Sequence, residues 1–302
     1  MERKRICLTR QELSRLSDSE AGITARAISG VVSNFVGSKY NATLAAASSG
    51  EIDSERYTYV GLEWLEFIIQ YGRLSREGSI LDIGCGSGRM AEPLSHYLSS
   101  SGTYHGFDIS SETMNFCRSL ISHPGFSFTS INLHHPIYNP SGKIKPEKFS
   151  FPFKDDTFDV AIAASIFSHL GLAAAKRYLA ELRRVLRPGG RAIISFFAVP
   201  EQEKQTQGGI TNILGAGDGE YAYRFLKVEN GYYIHCDKTG TPKSHYVNSP
   251  EGDPVAFDAD ALIGLAKEVE LDCLHFLEGA WKFTEYVHGW QDIVVLQKHD
   301  AD

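Results

Sequence analysis

Three glycines in five residues, Gly84, Gly86 and Gly88 of "ILDIGCGSGRM", follow directly on an apolar run. Glycines spaced in this way let a backbone turn tightly and come close to a ligand. With a strand before them and a helix after, the setting is that of a nucleotide loop. Asp108 lies 20 residues beyond Gly88 (108 − 88), at the tip of the strand-like "TYHGFD". A carboxylate there can accept hydrogen bonds from both hydroxyls of a ribose, which points to an adenosine-bearing cofactor. The loop is not a dinucleotide fingerprint, because Arg89 stands where that fingerprint has its third glycine. Asp82, two residues before the first glycine, would repel a pyrophosphate but suits a cationic amino group. No GK[ST] follows, which excludes a P-loop. The chemistry indicated is the binding of an amino-acid-bearing nucleoside.

These residues must be positioned by the elements around them. From Tyr57, "YTYVGLEWLEFIIQYG" has helical spacing and reaches Gly72, in the place of a C′ glycine. Strand-like "SILDIG", "TYHGFD", "FSFTSIN", "FDVAIAAS" and "RAIISFFAV" then alternate with helical patterns. The first of these helices carries Met90, Leu94, Tyr97 and Leu98. The second, "SETMNFCRSLI", is capped by Ser110 or Ser111. The third carries Ala175, Tyr178, Leu179, Leu182, Val185 and Leu186, and is expected to stop at "RPGG". Alternation with strands apolar on both faces predicts an α/β doubly wound, Rossmann-like parallel sheet, with ligands at the strand carboxyl ends.

After Val199 the alternation breaks. Two strand-like runs flank Asn230-Gly231, a hairpin signal, and Asp258 or Asp260 is placed to cap a helix. "LDCLHFLE" and "WQDIVVLQK" read as two final strands. The expected organisation is an N-terminal extension over residues 1–55, partly mobile at "AAASSGEIDSE", and one domain over 56–302. Within it, 200–257 is an insertion expected to act as a substrate lid, with "GAGDGE" as its hinge.

Composition narrows the classes of function. The 302 residues carry a net charge of −7, which speaks against a nucleic-acid groove. No apolar run approaches a membrane span, and the N-terminus lacks the apolar stretch of a signal peptide, so a cytoplasmic location is expected. The 5 cysteines form no CxxC pair and the 11 histidines no cluster at ligand spacing, so no metal is expected.

"ILDIGCGSGR" resembles motif I of the class I S-adenosylmethionine-dependent methyltransferases. "FPFKDDTFDVAIAASIFSHL" and "ELRRVLRPGGRAIIS" are similar to the segments around that family's fourth and fifth strands, and the resemblance covers about residues 56–198 plus the two final strands. It implies a seven-stranded sheet whose last strand is antiparallel, S-adenosyl-L-methionine as cofactor and S-adenosyl-L-homocysteine as product. It implies that Gly84, Cys85, Gly86, Gly88 and Arg89 cradle the methionine portion and ribose, and that Asp82 meets the amino end. Asp108 then holds the ribose, with Ile109 beside the adenine. Where the family often has an acidic residue accepting from the adenine amino group, this chain has Asn132, whose amide oxygen can also accept. Ser165 would line the cofactor near the reacting methyl group.

The methyl acceptor is less constrained. The [DNS]PP[YFW] box of exocyclic-amine methylases is replaced by "SIFS", and "YNPSG" lies upstream and reads as a turn. A small-molecule substrate is expected, methylated at an oxygen of a specialised metabolite or sugar, with a nitrogen, a carbon or a protein side chain as the alternative. A non-catalytic binding module is the rival, which the intact loop disfavours. His169, just past the fourth strand, is the candidate base, against the plainer reading that it packs at a helix start; His235 and His288 are weaker candidates. Tyr221, Tyr223, Phe225, Tyr232 and Tyr233 either wall an acceptor pocket or fill the hairpin's own core.

Overall fold

The computed structural model describes residues 54–136, 138–204, 208–213, 223–229, 231–236, 254–279 and 291–300. The expectations placed on residues 1–53, on Tyr221, on the side chain of Tyr223, on "GAGDGE" and on His288 lie outside the described residues. The described residues fall into two compact units, one from 54–131 with 158–162 and the other from those within 132–157 and 163–300.

The first unit is built on four parallel strands, β1 (Ser79–Ile83), β2 (Thr103–Asp108), β3 (Phe126–Ser130) and β4 (Phe158–Ala163). Their order is β3-β2-β1-β4, so β1 sits inside with partners on both edges. Every residue of β1 is buried, as a doubly covered parallel strand requires. The helices are α1 (Ser54–Gln70), α2 (Ala91–Tyr97) and α3 (Ser111–Leu120). Ser110 caps α3, its hydroxyl accepting from the Thr113 N–H at 3.2 Å. At the end of α1 the left-handed residue is Arg73 (φ 56°), not Gly72, although the Gly72 N–H still bonds back to the Phe67 carbonyl at 3.2 Å. Because the strand order reverses direction at β1, the carboxyl ends of β1 and β4 flank the switch point where doubly wound sheets bind ligands.

The second unit is centred on the strand β5 (Leu186–Val199). Helix α4 (Leu172–Val185) precedes it and ends at Val185, before "RPGG". Leu186 to Gly190 already belongs to β5, with Gly189 in left-handed backbone (φ 73°), and Leu186 and Gly189 offer their carbonyls to Lys298 Nζ (2.8 Å) and Gln297 Nε2 (3.0 Å). Strand β11 (Asp292–Lys298) pairs antiparallel with β5 from Arg191 to Phe196, and β10 (Leu271–Leu277) pairs antiparallel with β11. The last residues of β5, Phe197 to Val199, pair instead with β9 (Val255–Asp258), in parallel. Beyond β9 come β8 (Tyr232–His235), β7 (Tyr223–Glu229) and β6 (Ile210–Ile213), each antiparallel to its neighbour. Helix α5 (Ala259–Glu268) follows β9.

The described residues hold eleven strands, where the sequence predicts seven and a hairpin; β6 and β9 are the additions. The end of the 200–257 segment is thus a sheet strand, and apolar Val255, Ala256 and Phe257 are buried there. Phe225 and Tyr233 join Phe197, Val199 and Ala256 in one buried cluster, and Tyr232 is 4% exposed. These three aromatics are buried, Phe225 and Tyr233 against residues of β5 and β9 and not in a core of the hairpin alone. No helix among the described residues is long and apolar enough to cross a membrane.

Candidate cofactor-binding and acceptor sites

In the first unit the loop after β1 folds back on β2. The N–H groups of Gly84 and Cys85 both donate to the Phe107 carbonyl, at 2.8 and 3.1 Å. Gly84, Gly86 and Gly88 have φ of 70°, 51° and 86°, left-handed backbone that glycine adopts without strain. The latter two serve different ends. A Cβ on Gly88 would lie 3.2 Å from Cys117 Sγ and 3.3 Å from Ile121 Cδ1, so its bareness lets the loop pack on α3 and the residue after it. A Cβ on Gly86 would meet nothing within 4 Å, so here the bare backbone faces open space.

Asp108 closes the loop from the other side. Its Oδ2 accepts from the Gly86 N–H and its Oδ1 from the Ser110 N–H, each at 3.0 Å. Burial raises its pKa, and the N–H groups of Ser110, Gly86 and Ile109 hold it back. A carboxylate has about four lone-pair sites, so with these three N–H groups on it Asp108 retains capacity for a further donor. Asp82 is 1% exposed and accepts the Tyr104 hydroxyl at 2.6 Å. Burial pushes its pKa up to about 7, with Asp108 adding to the rise and Tyr104 and Arg89 opposing it. Cys85 is buried against Gly106, where a Cβ would lie 2.7 Å from its sulfur, and Cys117 donates to the Gly86 carbonyl at 3.4 Å. Burial lifts Cys85 well above the ordinary thiol range and Cys117 to about 12, so neither is a thiolate at neutral pH.

Asp82, Gly84, Cys85, Gly86, Gly88, Arg89, Asp108 and Ile109 therefore belong to one loop system of the first unit. Helix α1 braces it: the Tyr57 hydroxyl donates to the Ser87 carbonyl at 3.1 Å, and a Cβ on Gly61 would lie 2.5 Å from the Arg89 carbonyl oxygen. Sequence reasoning missed Tyr57, Gly61, Tyr104 and Gly106. Glycines inside a helix and inside a strand were the available signals for two of them; a tyrosine in an apolar element reads only as core.

Asn132, Ser165 and His169 belong to the second unit. Asn132 is exposed, and its carbonyl accepts the N–H groups of Lys143 (3.1 Å) and Ile144 (3.0 Å), closing the loop that contains "YNPSG". The His135 ring of that loop packs at a tilt of 33° against Tyr138, with ring centroids 4.6 Å apart, and its Nδ1 accepts the Tyr138 N–H at 3.0 Å. Burial, with His169 and His134 nearby, lowers the His135 pKa to about 4, so it is neutral at pH 7. His169 ends a short 3-10 turn, Phe167–His169, and is half-buried. Ser165 is exposed, with left-handed backbone (φ 58°) at a residue that carries a Cβ. Its N–H donates to Ser195 Oγ at 2.8 Å, and its hydroxyl donates to Gln291 Oε1 at 3.0 Å. Among the described residues no group of His, Cys, Asp and Glu could hold a metal ion.

The sequence model of a methyltransferase domain matches residues 81–194, which run from β1 into β5. A ubiquinone/menaquinone biosynthesis C-methyltransferase of Wigglesworthia glossinidia brevipalpis is 26% identical over 45% of this chain and 50% of its own length. A 2-phytyl-1,4-naphtoquinone methyltransferase of Nostoc is 27% identical over 47% and 56%. The chain thus spans about half the length of these curated relatives. Among solved structures, the [4+2]-cyclase SpnF superposes with a TM-score of 0.51 at 13% identity, covering 93% of this chain and 95% of that one. A chain from the complex of the Haloferax volcanii Trm112 methyltransferase activator gives 0.50 at 13% identity, over 85% and 97%. These likenesses are of fold.

Proposed function

We propose that this chain, in which residues 81–194 form a class I S-adenosylmethionine-dependent methyltransferase domain, transfers a methyl group to an oxygen of a small hydroxyl-bearing molecule. The observation that carries the donor half is the open face of Gly86 beside the Asp108 carboxylate. An adenosine ribose suits Asp108, whose oxygens are oriented by backbone N–H groups and keep capacity to accept from a ribose hydroxyl. The ammonium of the cofactor suits Asp82, since a cation there would offset the cost of a buried carboxylate. Ile109 would lie against the adenine and Asn132 would accept from its amino group. When bound, S-adenosylmethionine supplies an activated methyl on a sulfonium, so the chain's task is alignment, exclusion of water and handling of the acceptor's proton. His169 is the group proposed to take that proton.

A second reading, transfer to a ring carbon of a quinol, is favoured by the names of the relatives from ubiquinone/menaquinone and naphthoquinone methylation. One experiment separates the readings. Methyl-labelled S-adenosylmethionine is incubated with naphthohydroquinone, catechol and methyl glucoside, and the products are resolved by NMR as O-methyl or C-methyl. Cofactor binding by calorimetry without any methyl transfer would favour a different use of the fold, which the [4+2]-cyclase likeness makes a concrete rival. Absence of cofactor binding at millimolar concentration would refute the enzyme.

A further inference from the structure

The residue just before the last strand carries a side chain whose amide nitrogen nothing so far has used. Gln291 is 9% exposed and stands immediately before β11. Its Oε1 accepts two hydroxyl protons, from Ser195 Oγ at 2.7 Å and from Ser165 Oγ at 3.0 Å. The amide is placed with its carbonyl oxygen towards both serines, and Ser195 Oγ, which also receives the Ser165 N–H at 2.8 Å, donates its own proton to that oxygen. The amide nitrogen, with two N–H donors, takes part in neither bond.

Gln291 is held in place with unusual care for a residue next to a strand end. The following residue, Asp292, is fully buried and accepts the Ala198 N–H at 2.8 Å and the Gly279 N–H at 3.0 Å. Gly279 lies so close that a Cβ on it would be 2.3 Å from the Gln291 carbonyl carbon. Ser165, the other end of the pair, is exposed and has left-handed backbone, a conformation that costs about 1–3 kcal/mol outside glycine. The Ser168 hydroxyl donates to the Ser165 carbonyl at 3.2 Å, adding a further support. A strained, accessible serine and a pinned glutamine, whose two N–H donors are not used in any hydrogen bond among the described residues, together form a preorganised polar site.

We infer that the Gln291 amide, seated by Ser165 and Ser195, is the hydrogen-bond donor that recognises an oxygen of the methyl acceptor, a phenolic, hydroxyl or carbonyl group. The site rests on the methyltransferase reading for its purpose. A donor amide lowers the energy of an oxygen that carries negative charge, so the same contact serves an acceptor deprotonated at oxygen and a quinol whose ring carbon attacks. It disfavours an ammonium acceptor, which has no lone pair to offer.

The test uses the full-length chain with S-adenosylhomocysteine bound, and naphthohydroquinone, catechol and methyl glucoside as probes. The side-chain amide signals of Gln291 are assigned in a ¹⁵N-correlation spectrum by their loss in Gln291→Leu. Titration of at least one probe is expected to shift those signals saturably. Gln291→Glu, which keeps an oxygen for both serine hydroxyls but replaces the donors, is expected to weaken that probe about tenfold while leaving S-adenosylhomocysteine affinity within about twofold. A probe that binds without moving the Gln291 signals overturns the inference. So does unchanged probe affinity in Gln291→Glu, or failure of all three probes to bind at millimolar concentration while S-adenosylhomocysteine still does. Failure of S-adenosylhomocysteine itself to bind overturns the methyltransferase reading and this site with it.

Discussion

At the scale of single residues, Asp82 shows how burial sets a stability against a function. Its folded pKa of about 7 lies above the ordinary 3.8, so folding favours the protonated form. The associated stability is fully present below pH 3.8 and is lost as pH rises to about 7. Asp82→Asn keeps the shape and an acceptor for the Tyr104 hydroxyl but carries no charge. It is expected to melt higher than the parent at pH 8 and to match it near pH 4. In calorimetry it should bind S-adenosylhomocysteine about tenfold or more weakly, having lost a charge-assisted contact. A melting difference that is the same at both pH values would refute the linkage. Asp82, Gly86 and Asp108 were legible because their spacing is local to one strand–loop–strand turn. Gln291 was not, because its partner Ser165 lies 126 residues away and no local pattern marks either of them as a pair.

At the scale of elements, α1 works as a brace for the glycine loop. Its Gly61 faces the Arg89 carbonyl, and the close approach outweighs helix propensity. Gly61→Ala would gain roughly 1 kcal/mol of propensity but overpack the loop at a cost of about 1–3 kcal/mol. The expected outcome is a lower melting temperature together with weaker S-adenosylhomocysteine binding, although residue 61 is not among the proposed cofactor contacts. A variant that is more stable and binds equally well would show that the loop tolerates the displacement. The helix itself was readable from its apolar spacing; its role was not, since tertiary contact with Ser87 and Arg89 leaves no periodic trace. The end of α4 was legible as well: Pro188 marks where a helix cannot be, and α4 ends at Val185 with Leu186 as its C-cap, directly before "RPGG".

At the scale of the whole molecule, buried acids and buried histidines oppose each other. Burial, with Glu63 beside it, raises Glu66 from 4.5 to about 7, and burial raises Glu92 from 4.5 to about 8. Their stability contribution is present below pH 4.5 and lost as pH rises through those values. His135, lowered from 6.5 to about 4, contributes above pH 6.5 and loses that contribution as pH falls. The two trends oppose each other in the mildly acidic range, and above 6.5 only the acids act. The melting temperature is expected to fall between pH 6.5 and 8, and Glu92→Gln to flatten that fall. A profile that rises over this interval in buffers of constant ionic strength would contradict the assignment. At this scale the first unit was largely legible, since each strand and helix follows its neighbour in sequence. The second was less so, because β9 is brought to β5 across a long insertion.

One strand shows what such an arrangement makes possible. β5 gives Arg191 to Phe196 to β11 and Phe197 to Val199 to β9, so no residue of it serves both partners. The pairing that ties in the end of the chain and the pairing that anchors the inserted strands are written on consecutive, separate stretches. A crossover at Phe196–Phe197, with a second after β9, would exchange the inserted strands between relatives without touching the β11 register. For chimera construction, that boundary is the place to cut.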